Sequence, residues 1–172
     1  MLILMAGVPG AGKSTLSRAL AAEIGGTVID KDQIRASLFS PADVEYSTPQ
    51  DDFCMAVMLK VAGYIFRKDP SRLIFLDGRT FSRTYQLKRA TGFAEAIGQP
   101  WRILECTCSE DTARRRLSDD PSHLAANRGF DLYLQVKAAF EEITFPKTVI
   151  DTDQRLETCI QLAKAALVSL KP

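Results

Sequence analysis

The stretch Gly7-Val-Pro-Gly-Ala-Gly-Lys-Ser-Thr15 constrains this chain more than any other. It fits a phosphate-binding loop in full, with Gly7, Gly12, Lys13 and Ser14 at the fixed positions of G-x-x-x-x-G-K-[ST]. Glycines at 7, 10 and 12 let successive backbone N–H groups turn inward toward phosphate oxygens, where larger side chains would block them. Lys13 brings a point charge to the terminal phosphates and Ser14 a hydroxyl for Mg²⁺, while the helix starting here aims its positive end at the same anion. Ala11 and Thr15 complete the expected nucleotide-binding set. The context is strand, loop, helix: the apolar run Leu2-Ile-Leu-Met5 precedes the loop, and Leu16, Ala19, Leu20 and Ile24 follow at helical spacing. A turn that bound nothing would need neither the lysine nor the serine.

Strand-like and helix-like segments alternate throughout. Strands are expected at Leu2–Met5, Thr27–Ile29, Leu73–Leu76, Trp101–Cys106 and Lys147–Ile150. Helices are expected at Lys13–Ile24, Lys31–Phe39, Asp51–Arg67, Arg83–Ile97, Glu110–Leu117, Asp131–Ile143 and Arg155–Leu170, with Ser109 and Asp153 as N-caps. This alternation predicts an α/β fold of three layers, helices covering both faces of a five-stranded parallel sheet. At 172 residues the chain is read as a single domain, 1–172. In such sheets ligands collect beyond the carboxyl ends of the strands. Those ends carry Gly7, Asp30 and Asp32, Asp77, and Asp151, so one edge receives a phosphate loop and several carboxylates.

In Val28-Ile-Asp-Lys-Asp-Gln-Ile-Arg35 the strand-to-helix junction places Asp32 at the helix start and Arg35 one turn later on a similar face. An acceptor hydroxyl needs a carboxylate to orient it and take its proton, and a cation to screen the transferred phosphoryl; Asp32 and Arg35 suit both tasks. Asp30 is either a cap or an indirect Mg²⁺ partner. Asp77 ends the third strand and is expected beside Mg²⁺ or the acceptor, with Gly78 where ATP-driven motors carry a second acid. Arg79 and Arg83 follow as substrate-side residues. Arg114-Arg-Arg116 lies on a short helix and fans over several faces, ahead of a polar segment bounded by Pro121 and Gly129. That segment, about residues 118–130, reads as a lid that excludes water and brings positive charge to the transferring group. His123 reads as an ordinary loop residue.

Composition narrows the function further. The net charge of +1 gives no broad basic track for nucleic acid, which makes a small-molecule acceptor the leading expectation over a polynucleotide 5′-hydroxyl. Cys54, Cys106, Cys108 and Cys159 form no paired metal motif, Cys106 and Cys108 read as packing residues of a strand, and the protein is expected to be reduced and cytoplasmic. The apolar start is too short to span a bilayer, and no membrane association is expected. An ATPase switch without an acceptor is the other class, although no Asn-Lys-x-Asp guanine motif occurs.

The phosphate loop, the Asp-x-x-Arg after the second strand, the acid ending the third strand and the basic lid together resemble the small P-loop kinases. Within them the chain is most similar to the group of the phage polynucleotide kinase domain, zeta-toxin-like kinases and chloramphenicol phosphotransferase. The resemblance implies a sheet in the order 2-3-1-4-5, ATP as donor and Mg²⁺ as cofactor. It implies Asp32 as catalytic base and Arg35 on the substrate phosphate or transition state. It further implies Arg115 or Arg116 against adenine, and Arg116 or Arg128 on the developing charge.

Overall fold

A computed structural model describes residues 1–119 and 129–168 of the 172-residue chain. Five strands are laid down in chain order: β1 (Leu2–Ala6), β2 (Thr27–Asp30), β3 (Ile74–Asp77), β4 (Trp101–Thr107) and β5 (Thr148–Asp151). They form one parallel sheet in the order β2-β3-β1-β4-β5, as the resemblance implies. The central strand explains the layering. Side chains alternate across a strand, and a strand buried on both faces must be apolar at every position. All five residues of β1 are fully buried. Leu2, Leu4 and Ala6 pack on one side with Met58, Phe66 and Leu87; Ile3 and Met5 pack on the other with Leu16, Leu20, Ile150 and Cys159.

The described helices are α1 (Lys13–Ile24), α2 (Lys31–Leu38), α3 (Thr48–Lys68), α4 (Thr84–Ala96), α5 (Glu110–Ser118), α6 (Phe130–Ala138) and α7 (Leu156–Val168), with a single 3₁₀ turn at Pro41–Asp43. α1 and α7 cover the Ile3/Met5 face, and α3 and α4 the opposite one. Among the described residues no helix is long and apolar enough to cross a membrane.

Three expectations need correction. α3 begins three residues earlier than expected: the Ser47 hydroxyl accepts from the Gln50 N–H at 3.3 Å, and Pro49 sits in the first turn. α6 stops at Ala138 instead of running to Ile143. Beyond it the chain crosses to α4, where the Glu141 N–H donates to the Ser82 carbonyl at 2.9 Å and the Glu141 carboxylate accepts from the Thr84 N–H at 2.7 Å. Phe140, Ile143 and Phe145 thereby reach the α3–α4 core, an apolar burial that one turn of helix does not match. Asp153 does not cap α7, which opens at Leu156; its carboxylate accepts from the Ser109 N–H at 2.8 Å and ties the β5–α7 turn to the start of α5. Ser109 caps α5 as expected, accepting from Thr112.

Candidate active site

The loop after β1 takes the shape its glycines permit. Gly7 has φ +133°, its N–H donates to the Thr80 carbonyl at 3.0 Å, and a Cβ there would be driven into the Cys106 carbonyl. Gly10 and Gly12 are also left-handed, and Gly12 opens α1 directly, so the first N–H groups of that helix face the loop's concavity. The Lys13 ammonium donates to the carbonyls of Gly7 and Val8, 2.8 Å each, which holds the charge over the loop. Ala11 is buried, Ser14 half-buried and Thr15 exposed.

Behind Ser14 lies the third strand's acid. Asp77 is fully buried; the Ser17 hydroxyl lies 3.2 Å from its Oδ2 and 3.2 Å from the Ser14 carbonyl, bridging the two elements. Its other oxygen, Oδ1, is buried with no hydrogen-bond partner. A carboxylate oxygen left so is costly unless a cation or its water meets it. The donor set therefore fits Mg²⁺ at Ser14 and Asp77. Among the described residues no group of three or more His, Cys, Asp or Glu side chains is placed to hold a metal ion.

Asp30 and Asp32 divide their labour. The Asp30 carboxylate caps α2, accepting from the N–H groups of Asp32 at 2.8 Å and Gln33 at 3.3 Å, which rules in favour of its capping role. That cap aims Asp32 into a cavity of about 170 Å³ together with Lys13, Ser14, Arg35 and Arg79. Thus the phosphate loop and the Asp-x-x-Arg pair face one cleft. Leu132 and Val136 of α6 form its apolar wall.

Arg35 is only 3% exposed. Its Nη1 donates to Asp32 at 2.7 Å, its Nη2 to Asp51, and its plane lies 5.0 Å from the ring of Tyr46. Asp51 is a hub absent from the sequence reading: Lys31 Nζ reaches its Oδ1 at 2.8 Å and Arg79 Nη1 its Oδ2 at 3.0 Å. Arg79 also donates to Asp52 at 2.7 Å and lies 3.2 Å from the Tyr85 hydroxyl. Gly78 makes this possible, because at φ +79° it lets the β3–α4 loop approach the start of α2, where a Cβ would stand 2.9 Å from the Lys31 nitrogen. The signal for Asp51 was the cap Ser47-x-x-Gln50, which puts residue 51 in the first turn of α3.

Other expected site residues lie elsewhere. Arg83 is not at the cleft; it faces solvent and pairs with Glu141 at 3.3 Å. Phe81, fully buried with φ +50°, turns the chain between Arg79 and Arg83 and sends the two arginines apart. Arg116 is not placed on a transferring phosphoryl: Nη1 donates to the Gly10 carbonyl at 3.2 Å and the Thr152 hydroxyl at 2.9 Å, and Nη2 to the Thr152 carbonyl at 2.7 Å. This anchors α5 to the phosphate loop and to the end of β5. Arg116, Thr15, Thr152, Gln154 and Leu156 line a second cavity of about 160 Å³ on the far side of the loop. Arg115 is exposed and lines neither cavity, and Arg114 stacks 3.6 Å over Phe130. At the end of β5 it is Thr152 that reaches the loop, its hydroxyl 3.2 Å from the Ala11 carbonyl, while Asp151 accepts from the Asp153 N–H within its own turn. Arg128, His123 and most of the expected lid lie outside the described residues.

The cysteines behave as packing residues. Burial pushes the Cys106 thiol up to about 12 and also raises those of Cys54, Cys108 and Cys159.

A left-handed glycine loop, a lysine on its rim and an acid at the next strand's end define a P-loop nucleotide-binding protein of the α/β class. The family model described as an AAA domain matches residues 2–121, and the chain belongs to that family. Solved structures share the fold over nearly the whole length. The APS kinase of Mycobacterium tuberculosis, in complex with AMPPNP and APS, is 17% identical with a TM-score of 0.73, covering 96% of each chain. A gluconokinase from Sinorhizobium meliloti 1021 is 16% identical with a TM-score of 0.71, covering 98% of this chain and 91% of its own. A sugar kinase from Janibacter sp. HTCC2649 is 18% identical with a TM-score of 0.69, covering 96% and 93%. No curated protein sequence matches the chain.

Proposed function

We propose that this protein is an ATP- and Mg²⁺-dependent kinase that transfers the γ-phosphoryl group to a hydroxyl of a small molecule. The observation that carries this reading is the shared cleft: Lys13 and Ser14 stand on one side, and Asp32 with Arg35 on the other. The kinase names of the structural neighbours agree with it.

Each side has its task. Backbone N–H groups from Gly10 to Thr15 and the N-terminus of α1 take the phosphate oxygens, and Lys13 exchanges its two carbonyl partners for the terminal phosphates. Ser14 and Asp77 are the residues to hold Mg²⁺, which supplies charge neutralisation to the phosphates. Asp32 orients the acceptor hydroxyl and accepts its proton as that oxygen bonds to the γ-phosphorus; the bond to the β-bridging oxygen breaks and ADP leaves. Arg35, fixed by Asp32, Asp51 and Tyr46, screens the transferring group without reorganising. The cavity beside Arg116 and Thr152 suits adenine, the guanidinium being pinned by carbonyls so that a flat face is available for stacking.

The test is a screen of pooled metabolites and short oligonucleotides for labelled phosphate taken from ATP, with Lys13→Ala as the blank. Transfer to a metabolite at rates that depend weakly on salt is the expected result. Transfer only to oligonucleotides, with steep salt dependence, would reassign the acceptor. Acceptor-independent hydrolysis without transfer would overturn the kinase reading.

A further inference from the structure

Accepting that reading of the cleft, we propose that the acceptor is itself an acid: a small hydroxyl compound bearing an oxyanion, held on Arg35, Arg79 and Lys31. The acceptor side of the cleft is lined by three cations, Lys31, Arg35 and Arg79, with Asp32 and Asp51, and Asp52 behind the lining also pairs with Arg79; with Asp32 committed to the hydroxyl, the three cations share Asp51 and Asp52. The neutral polar side chains there are Tyr46 and Thr80, with no Asn or Gln among the described lining residues. Recognition of an uncharged polyol depends on amides and carboxylates that match several hydroxyls, and of that set the described lining offers only Asp32 and Asp51, both already paired with cations. Guanidinium groups instead match the planar or tetrahedral oxygens of an oxyanion, in paired hydrogen bonds.

The two arginines are prepared for such a ligand. Both are almost wholly buried, so each is held in one geometry by its neighbours. Arg35 Nε nevertheless has no hydrogen-bond partner, and Arg79 Nη1, though ion-paired with Asp51 Oδ2 at 3.0 Å, is not aligned to bond to it, a deficit that an incoming oxyanion can relieve. Asp51 touches both arginines and Lys31, so before the acceptor arrives a single carboxylate keeps like charges together. Asp51 is thus a positioning residue and a competitor of the acceptor's anion at once.

The test uses the intact protein saturated with AMPPNP and Mg²⁺, so that the phosphate loop is filled, and titrates it calorimetrically with inorganic phosphate and with matched pairs: glycerate against glycerol, gluconate against glucose. Expected are binding of inorganic phosphate and at least tenfold tighter binding of the acid in each pair. Arg79→Met should weaken the acids at least tenfold and leave the neutral partners unchanged. Asp51→Asn should tighten inorganic phosphate several-fold, whereas a residue that merely braces the arginines would weaken it when removed. Failure of inorganic phosphate to bind, or neutral partners binding as tightly as acids, overturns the proposal using wild-type protein alone, so a misfolded variant does not protect it. The kinase reading fails separately: oxyanions would bind while no compound took phosphate from ATP.

Discussion

Replacing Asp32 by Asn tests the assignment of the base with little collateral damage. Asparagine has the same shape, and its side-chain oxygen can still accept from Arg35 Nη1, which stands 2.7 Å from Asp32 Oδ1. What is lost is the negative charge. A hydrogen bond to an ionised group contributes about 1.5–3 kcal/mol and a neutral one about 1, so the fold should lose on the order of 1–2 kcal/mol. The reaction should lose far more. A positioned general base contributes about 10²–10⁴ in rate, or ~2.7–5.4 kcal/mol of barrier. Asp32 lies across the cleft from the phosphate loop, so the KM for ATP should stay near the wild-type value. Steady-state kinetics at saturating MgATP, with an acceptor from the metabolite screen, would therefore show a collapse in kcat alone, while circular dichroism and a denaturant titration confirm folding. A kcat within about tenfold of wild type would remove Asp32 from the base role and leave it as a partner of Arg35.

Lys13→Ala should weaken AMPPNP binding by at least tenfold and abolish transfer, read by calorimetry and by the labelled-phosphate assay; unchanged affinity would mean the loop does not hold the terminal phosphates. Arg116→Ala removes three hydrogen bonds to Gly10 and Thr152, and should raise the KM for ATP more than it lowers kcat. Met58 is fully buried beneath β1, so Met58→Ala should cost about 2–5 kcal/mol in denaturant titrations, and a loss under 1 would place it outside the core. Glu141 has its carboxyl held below the ordinary glutamate value of 4.5, first by the Thr84 N–H and then by Arg83. Its folded-state value is depressed, so its contribution is present above the ordinary value and lost as pH falls through the folded one. Urea midpoints of wild type and Glu141→Gln should therefore differ at neutral pH and converge in acid; a constant gap would contradict the assignment.

The donor half of the site was legible because its parts are sequence neighbours. Gly7 to Thr15 carry the turn, the charge and the helix start in nine consecutive residues, and each requirement is local. Asp32 and Arg35 were legible for the same reason, three residues apart on one helical face. Asp51 was not, because its role exists only once α2, α3 and the β3–α4 loop converge; by itself it looks like an acid favoured in a helix's first turn. The arginines after β3 show the limit most sharply. Arg79 and Arg83 are equivalent as letters in a βα loop, yet one is nearly buried against Asp51 and Asp52 and the other pairs with Glu141 in solvent. What separates them is a left-handed Phe81, a conformation unusual for an aromatic residue and stabilised by its full burial.

This division has a physical consequence for how such a site changes. The phosphate loop is cross-linked to its surroundings through backbone groups: Gly7 to Thr80, Gly10 to Arg116, Ala11 to Thr152. Altering it disturbs the central strand, so few substitutions are tolerated there. The proposed acceptor wall is built from side chains on α2, α3, α6 and two loops, and its charges balance among themselves through Asp51 and Asp52. Exchanging Lys31, Tyr46, Arg79 or Leu132 alters which molecule fits without touching the sheet. On the proposed reading, specificity is carried by the side chains around Asp51, and a change of acceptor should begin with Asp51 and Arg79 together, since the two are paired and each also holds the other's neighbours, Lys31 and Arg35 on Asp51 and Asp52 on Arg79.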